Sequence, residues 1–326
     1  MQSGRRRLLG LLGGSLAAVV WPAHGQAGAH RVAWFTSGDR RSTDGYLQAL
    51  REGLRDLGYR EGRNLVLEVR AAEFSVERED RIAAELVALR PAVIVTQGRA
   101  ARVMSRQPAT VPVVFGFSGD PIDAGLAASL ARPGRNQTGI AFLALDLVAK
   151  RIEILREVLP GLRRIAIIAS PDHAGEHREL ATSRAAADRL GIEIAYQPAR
   201  DVAELGTSLA HARAAHADAL VVFPDHLTAA RRSDIVAFAL EHRLPAISGW
   251  SLFVDAGLLL SYGPNLRDTW YRVASYVDRV IKGANPAELP IELPRSVEMA
   301  LNLRTARTLG LQIPQSILAR ADKTVE

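Results

Sequence analysis

From Arg31 onward, short apolar runs alternate with segments whose apolar residues recur every three or four positions. No other feature limits the available folds as much. Val32 to Thr36 reads as a strand, and Leu47, Leu50, Leu54 and Leu57 follow at helical spacing, with Gly58 as a stop. Leu65 to Val69 is a second strand. Ile82, Leu86 and Leu89 mark a second helix closed by Pro91. Val93 to Val95 and Val113 to Phe115 are strands rich in β-branched residues. Ile122 to Leu130 is expected as a short helix, and Thr138 to Phe142 as a further strand. A second set begins near residue 145 with a helix on Leu147, Ile154, Leu155 and Val158. Strands at Ile165 to Ala169, Ile192 to Tyr196, Ala219 to Phe223 and Pro245 to Ile247 follow, with a helix from Glu176 to Leu190 stopped by Gly191. Alternation of this kind implies parallel sheets covered by helices on both faces. Two successive sets imply two doubly wound α/β lobes.

The tail is too small to build a core of its own. It offers a strand at Leu258 to Ser261, a helix at Asp268 to Ile281, a Pro-rich loop from Asn285 to Pro294, an extended segment at Val297 to Leu303 and a short helix to Leu309. These pieces are expected to complete the two lobes, so the chain crosses between them more than once. The expected division is 1–29 as signal peptide and mature N-terminus, 30–143 plus about 262–288 as the N-terminal lobe, and 144–261 plus about 289–326 as the C-terminal lobe. Hinge strands join the lobes.

The first residues read as an export signal. Arg5, Arg6 and Arg7 precede the apolar run Leu8 to Val20, which Pro22 ends before a group of small residues. The run is shorter than the roughly 20 apolar residues of a bilayer span. Paired arginines ahead of Leu8-Leu9 suit the twin-arginine route, and an ordinary Sec signal fits as well. Cleavage is expected after Gly25 or Ala29, which places the mature chain in the periplasm. An uncleaved anchor is the weaker alternative.

Composition excludes several chemistries. The 326 residues include no cysteine, which removes disulfides, thiolate catalysis, Cys-based metal sites and a lipidated N-terminus. The net charge of +6 falls to +3 once the three signal arginines are set aside. The remaining charges alternate in sign along helices, as in Arg51-Glu52 and Arg55-Asp56, which describes solvated faces rather than a nucleic-acid surface. There is no P-loop, no G-x-S-x-G elbow and no dinucleotide fingerprint, so no cofactor is expected. His173-Ala174-Gly175-Glu176-His177 has the H-x-x-E-H spacing of inverted zinc proteases. Pro171 and Gly175 make it a loop entering a helix, and no metal is expected there. No paired nucleophile and base is visible, which argues against an enzyme.

Ligands of open α/β sheets sit beyond the carboxyl ends of the strands. The candidate binding residues are therefore Ser37, Gly38, Thr96, Gln97, Gly98, Arg99, Phe117, Ser118, Asp120, Phe142, Asp225, Trp250 and Tyr262. Small residues permit close backbone approach, and helix starts favour a carboxylate. Asp120 and Asp225 are candidate partners for an ammonium, each alternatively a cap or turn residue. Phe117, Phe142, Trp250 and Tyr262 are candidate walls for a flat or apolar ligand. Arg99 is a candidate bidentate partner for a carboxylate, or an exposed arginine in line with Arg102 and Arg106.

The ordered set of short motifs resembles the substrate-binding proteins of ABC transporters, in the subfamily related to tryptophan and tyrosine importers. It runs from Gly53-Leu54-Arg55 and Leu57-Gly58-Tyr59 through Gly119-Asp120-Pro121 and Leu130-Ala131-Arg132-Pro133-Gly134. It continues with Arg243-Leu244-Pro245-Ala246, Ser261-Tyr262-Gly263-Pro264-Asn265, Asn302-Leu303 and Ala319-Arg320-Ala321-Asp322. The resemblance implies a type I periplasmic binding protein-like fold, a small-molecule solute held in the interlobe cleft, and delivery to an ABC permease with a cytoplasmic ATPase. A monomer is expected. The sequence departs from the family pattern at Gln97-Gly98-Arg99, where many relatives carry Ser-Gly and then a small residue. A sensory binding protein feeding a membrane receptor, or an exported hydrolase, are the alternative functions.

Overall fold

The computed structural model describes residues 28–142 and 145–326. Of the segment expected as signal peptide and mature N-terminus, 1–29, residues 1–27 lie outside the described residues. The first half builds β1 (His30–Thr36), α1 (Arg40–Asp56), β2 (Leu65–Ala71), α2 (Val76–Leu89), β3 (Val93–Gln97), α3 (Ala100–Ser105), β4 (Val113–Phe117) and β5 (Gln137–Ala141). The second builds α4 (Leu145–Val158), β6 (Arg164–Ala169), α5 (Glu176–Leu190), β7 (Glu193–Pro198), α6 (Val202–Ala214), β8 (Ala219–Val222), α7 (His226–Ala230), α8 (Arg232–Glu241), β9 (Ala246–Ser248) and α9 (Ser251–Asp255). Then come β10 (Leu260–Pro264), α10 (Leu266–Ile281), β11 (Val297–Asn302), α11 (Leu303–Leu309), α12 (Gln315–Leu318) and β12 (Lys323–Val325).

The strands form two sheets. One is all parallel with order β2-β1-β3-β4-β5; the other runs β12-β11-β10-β9-β8-β6-β7. In the second sheet only the β10–β11 pairing is antiparallel. Read from its own first strand, each sheet begins with the same 2-1-3-4-5 order, so each has a point where successive connections leave for opposite faces. Ligand crevices open at such points, beyond the strand ends. In the first sheet it lies at β1 and β3, and in the second at β6 and β8.

Each sheet is buried on both faces, which is why its central strands are apolar runs rather than alternating ones. Leu47, Leu50 and Leu54 of α1 meet Trp270, Val273 and Val277 of α10 on one face of the first sheet, and Ile82, Leu86, Val103 and Met104 cover the other. The close approach of α1 and α10 depends on Gly53, where a Cβ would lie 2.7 Å from the Ala274 Cβ. The second sheet is sandwiched between α4 and α5 on one side and α6, α8 and α9 on the other.

The chain crosses between the sheets after β5, after β10 and before β11. Thus α10 packs on the first sheet, although the strand before it pairs in the second. The loop ahead of β11 also stays with the first sheet, where Ala141 donates to the Glu292 carbonyl at 3.0 Å. The segment Ile122 to Leu130 is a succession of turns, not the expected helix. Gly125 stands at φ +70°, and the Asp120 carboxylate accepts from the Ile122 and Asp123 N–H groups, so the backbone bonds of a helix have competitors.

Candidate functional site

The two lobes line an open cavity of about 240 Å³. Its first wall is made by the carboxyl ends of β1, β3 and β4 with the start of α1: Thr36, Ser37, Gly38, Thr43, Tyr46, Gln97, Gly98, Arg99, Gly116 and Ser118. Phe142, Leu266 and Trp270 complete that side. The opposite wall comes from the second lobe, with His226, Ala229 and Ala230 of α7, Arg232 of α8, and Trp250 and Leu252 at α9. The cavity thus opens at the switch point of the first sheet and faces short helices of the second.

Aromatic rings give the cavity its shape. Trp270 is fully buried, its ring centroid 4.8 Å from Trp34, 5.9 Å from Phe142 edge-on and 6.0 Å from Tyr46 in a stacked arrangement. Gly116 makes room for this cluster, because a Cβ there would overlap the Trp270 ring and stand 2.8 Å from the Phe142 ring. Trp250 reaches across the cleft and packs against the cores of both lobes.

The polar groups are mostly hydrogen-bond donors. Thr36 Oγ1 donates to Gln97 Oε1 at 3.0 Å, which leaves the Gln97 amide nitrogen as the available group. The hydroxyl of Ser37 and the indole nitrogen of Trp270 are buried and have no hydrogen-bond partner among the described residues. Ser118 Oγ lies 3.0 Å from His173 Nε2 across the cleft. Arg99 begins α3 and gives both Nε (3.1 Å) and Nη2 (2.9 Å) to one oxygen of the buried Glu79. Arg232 gives Nη1 to the Ala229 carbonyl at 2.7 Å and forms no ion pair with a described residue. Burial lowers the pKa of both His173 and His226, with the Asp225 carboxylate acting in the opposite sense. Burial also pushes the Tyr46 phenol above its ordinary value, so it stays protonated.

The structure gathers eight of the thirteen sequence candidates on the cavity: Ser37, Gly38, Gln97, Gly98, Arg99, Ser118, Phe142 and Trp250. Five lie elsewhere. Thr96 is buried within β3. Phe117 packs edge-on against Phe115 and borders a neighbouring chamber of about 300 Å³, which shares Gly98, Arg99, Ser118 and His226 with the first. Tyr262 packs on the second lobe's core, and its carbonyl accepts from Arg151 at 2.8 Å.

The two candidate ammonium partners are corrected. Asp120 is clamped by Arg178 at 2.6 Å, an ion pair that ties the lobes together outside the cavity. Asp225 is 1% exposed and caps α7 in a reciprocal capping box with Thr228, its Oδ1 accepting from the Thr228 N–H at 2.8 Å. Its Oδ2 is buried without a partner and does not reach the cavity lining. Arg99 does line the cavity, but its charge is already answered by Glu79.

Sequence reasoning missed Tyr46, Phe74, His226, Arg232 and Trp270. Tyr46 lies four residues before Leu50, and Trp270 sits in the apolar stripe of α10, so both read as core. Phe74 carries one signal visible only in the backbone. It and Glu73 both have positive φ, +64° and +52°, a strained region for non-glycine residues that collects at functional sites. Of the H-x-x-E-H set, His173 precedes α5 and meets Ser118, and His177 lies 3.7 Å from Asp123.

The profile of the family described as ABC transporter substrate binding protein matches residues 31–325. A tyrosine-binding protein from Clostridioides difficile is 21% identical over 274 residues, 83% of this chain and 77% of the relative. Among solved structures, a conserved domain protein from Vibrio cholerae is 26% identical with a TM-score of 0.84, covering 91% of this chain and 99% of the other. An ABC domain from Streptococcus pneumonia in complex with L-Trp is 21% identical with a TM-score of 0.85, covering 91% and 100%. A ligand-free, open substrate binding protein with adhesive properties from Clostridium difficile is 18% identical with a TM-score of 0.70, covering 91% and 100%. With the family profile spanning nearly all the described residues and both lobes superposing on these folds, the chain belongs to the ABC transporter substrate-binding proteins.

Proposed function

We propose that this chain is the exported solute-binding protein of an ABC importer. It captures a small carboxylate-bearing solute, an amino acid or an organic or aromatic acid, between its lobes and hands it to a membrane permease driven by a cytoplasmic ATPase. The observation that carries the reading is the 240 Å³ cavity lined from both lobes by aromatic rings and hydrogen-bond donors. A site lined from two lobes is covered as they close on it, so hinge closure and capture go together. The contacts of Ser118 with His173 and of Asp120 with Arg178 belong to the closed form. The higher TM-score against the L-Trp complex than against the ligand-free open relative agrees with this. The names of the relatives, tyrosine-binding and L-Trp-bound, support a solute with an aromatic body. No described helix is long and apolar enough to cross a membrane; on this reading the mature protein works in the periplasm as a monomer.

The test is a thermal-shift screen of amino acids and small organic and aromatic acids, followed by solution scattering on the hits. Solute at one hundred times Kd stabilises the protein by about 2.7 kcal/mol and raises Tm by several degrees. The radius of gyration falls on saturation. A hit that leaves it unchanged refutes capture by closure.

A further inference from the structure

The cavity has arginines on its lining but no carboxylate. Among the described residues that line it there is no Asp or Glu, whereas Arg99 and Arg232 are present. Acids close to the lining have partners of their own: Glu79 is 2% exposed and bonded to Arg99, Asp120 is held by Arg178, Glu73 by Arg78, Asp255 by Lys323, and Asp225 caps α7 through Oδ1. Arg232 is half-buried and has no acidic partner among the described residues; its one hydrogen bond goes to the Ala229 carbonyl. A guanidinium without a counter-charge in a partly desolvated wall costs free energy until an anion arrives. The buried hydroxyl of Ser37 and the indole nitrogen of Trp270 add two unpartnered groups able to donate. An α-ammonium enclosed here would find no carboxylate among the described lining residues, and a buried unpaired ammonium costs several kcal/mol.

We infer that the solute is an organic carboxylate without an α-amino group, its anion held by Arg232 of the second lobe and its apolar body packed against Tyr46, Phe142, Trp250 and Trp270. The inference rests on the solute-binding reading above and narrows it. Arg232, rather than Arg99, is the specificity-determining cation. Because it comes from the lobe opposite Ser37 and Trp270, the solute anion draws the lobes together.

Calorimetry on matched pairs differing only in the amino group tests this. The probes are 3-phenylpropanoate against L-phenylalanine, 3-(4-hydroxyphenyl)propanoate against L-tyrosine, and 4-methylpentanoate against L-leucine. In at least one pair the deaminated acid binds tenfold or more tighter than its amino acid. Arg232→Gln weakens that acid about 10–150-fold, the range for losing a charged hydrogen bond. Arg232→Lys recovers part of the affinity, and neither variant lowers the unliganded Tm. Tighter binding of the amino acid in the pairs overturns the inference and leaves the solute-binding reading standing. So does equal affinity of the deaminated acid for wild type and Arg232→Gln. Failure of every probe, acids and amino acids alike, overturns the inference together with the carboxylate reading.

Discussion

Gly116→Ala adds one methyl group at the floor of the cavity, and the structure says what it would strike. The new Cβ would overlap the outer edge of the Trp270 ring and lie 2.8 Å from the Phe142 ring, contacts no real side chain tolerates. Trp270 has little freedom to yield. It is 0% exposed and held by Trp34 at 4.8 Å and Tyr46 at 6.0 Å. Relief must come from β4 moving, or from Phe142 and Trp270 shifting towards the cavity. Overpacking of this kind costs about 1–3 kcal/mol. For lobes of this size that lowers Tm by about 3–9 °C. Both rings line the cavity, so solute affinity falls as well, by about 2- to 13-fold if half of the strain is relieved into it. Differential scanning calorimetry and titration calorimetry read the two effects. Gly206→Ala is the control. It lies inside α6 with nothing within 4 Å of a new Cβ, and the same chemical change should stabilise by about 0.5–1 kcal/mol. Unchanged Tm and affinity in Gly116→Ala would refute the claim that β4 and the Trp270 cluster together shape the site.

Asp225→Ala should lose about 1–2 kcal/mol through its N-cap to Thr228, while Asp225→Asn keeps the capping oxygen and stays near wild type by chemical denaturation. Solute affinity within twofold in Asp225→Asn fits a cap; a larger loss would restore it as a ligand contact. The histidines predict a pH dependence. Above about pH 6.5, His173 and His226 are neutral whether the protein is folded or unfolded. Below that value the unfolded chain takes up protons that the buried rings resist, so the folded form loses stability. The difference in Tm between wild type and a His173→Gln, His226→Gln double variant should therefore widen in the variant's favour from pH 7 to pH 5.5. A difference constant over that range would mean that the rings are not desolvated. Glu179 opposes this trend. Burial raises it to about 7 against the opposing pull of Arg151, so its contribution is present at low pH and lost as pH rises from about 4.5 to 7, and Glu179→Gln should remove that loss.

The strand–helix alternation was enough to read both lobes from the sequence, because a parallel strand buried on both faces is a continuous apolar run. Glu176 to Leu190 is a helix in full, as its spacing and the Gly191 stop imply. The expected helix at Ile122 to Leu130 failed because Gly125 and the Asp120 carboxylate reward turns, and spacing alone does not register that competition. The strand-end rule found the loops that reach the cavity, since a loop's position follows from the end of its strand. It could not find Arg232 or Trp270, which stand on helices and reach the site only through the tertiary path of the chain. It also could not see that Glu79, twenty residues before Arg99 and on the buried face of α2, would answer that arginine's charge. Pairings of this kind are decided by packing between elements, which no local pattern records.

A crystal structure of the protein with the best solute from the screen tests the central claim most directly. The account predicts the solute enclosed between Tyr46 and Trp270 on one side and Trp250 and Arg232 on the other, with its carboxylate on the Arg232 guanidinium. A solute bound outside this cavity, or one whose anion contacts neither Arg232 nor the second lobe, would contradict it.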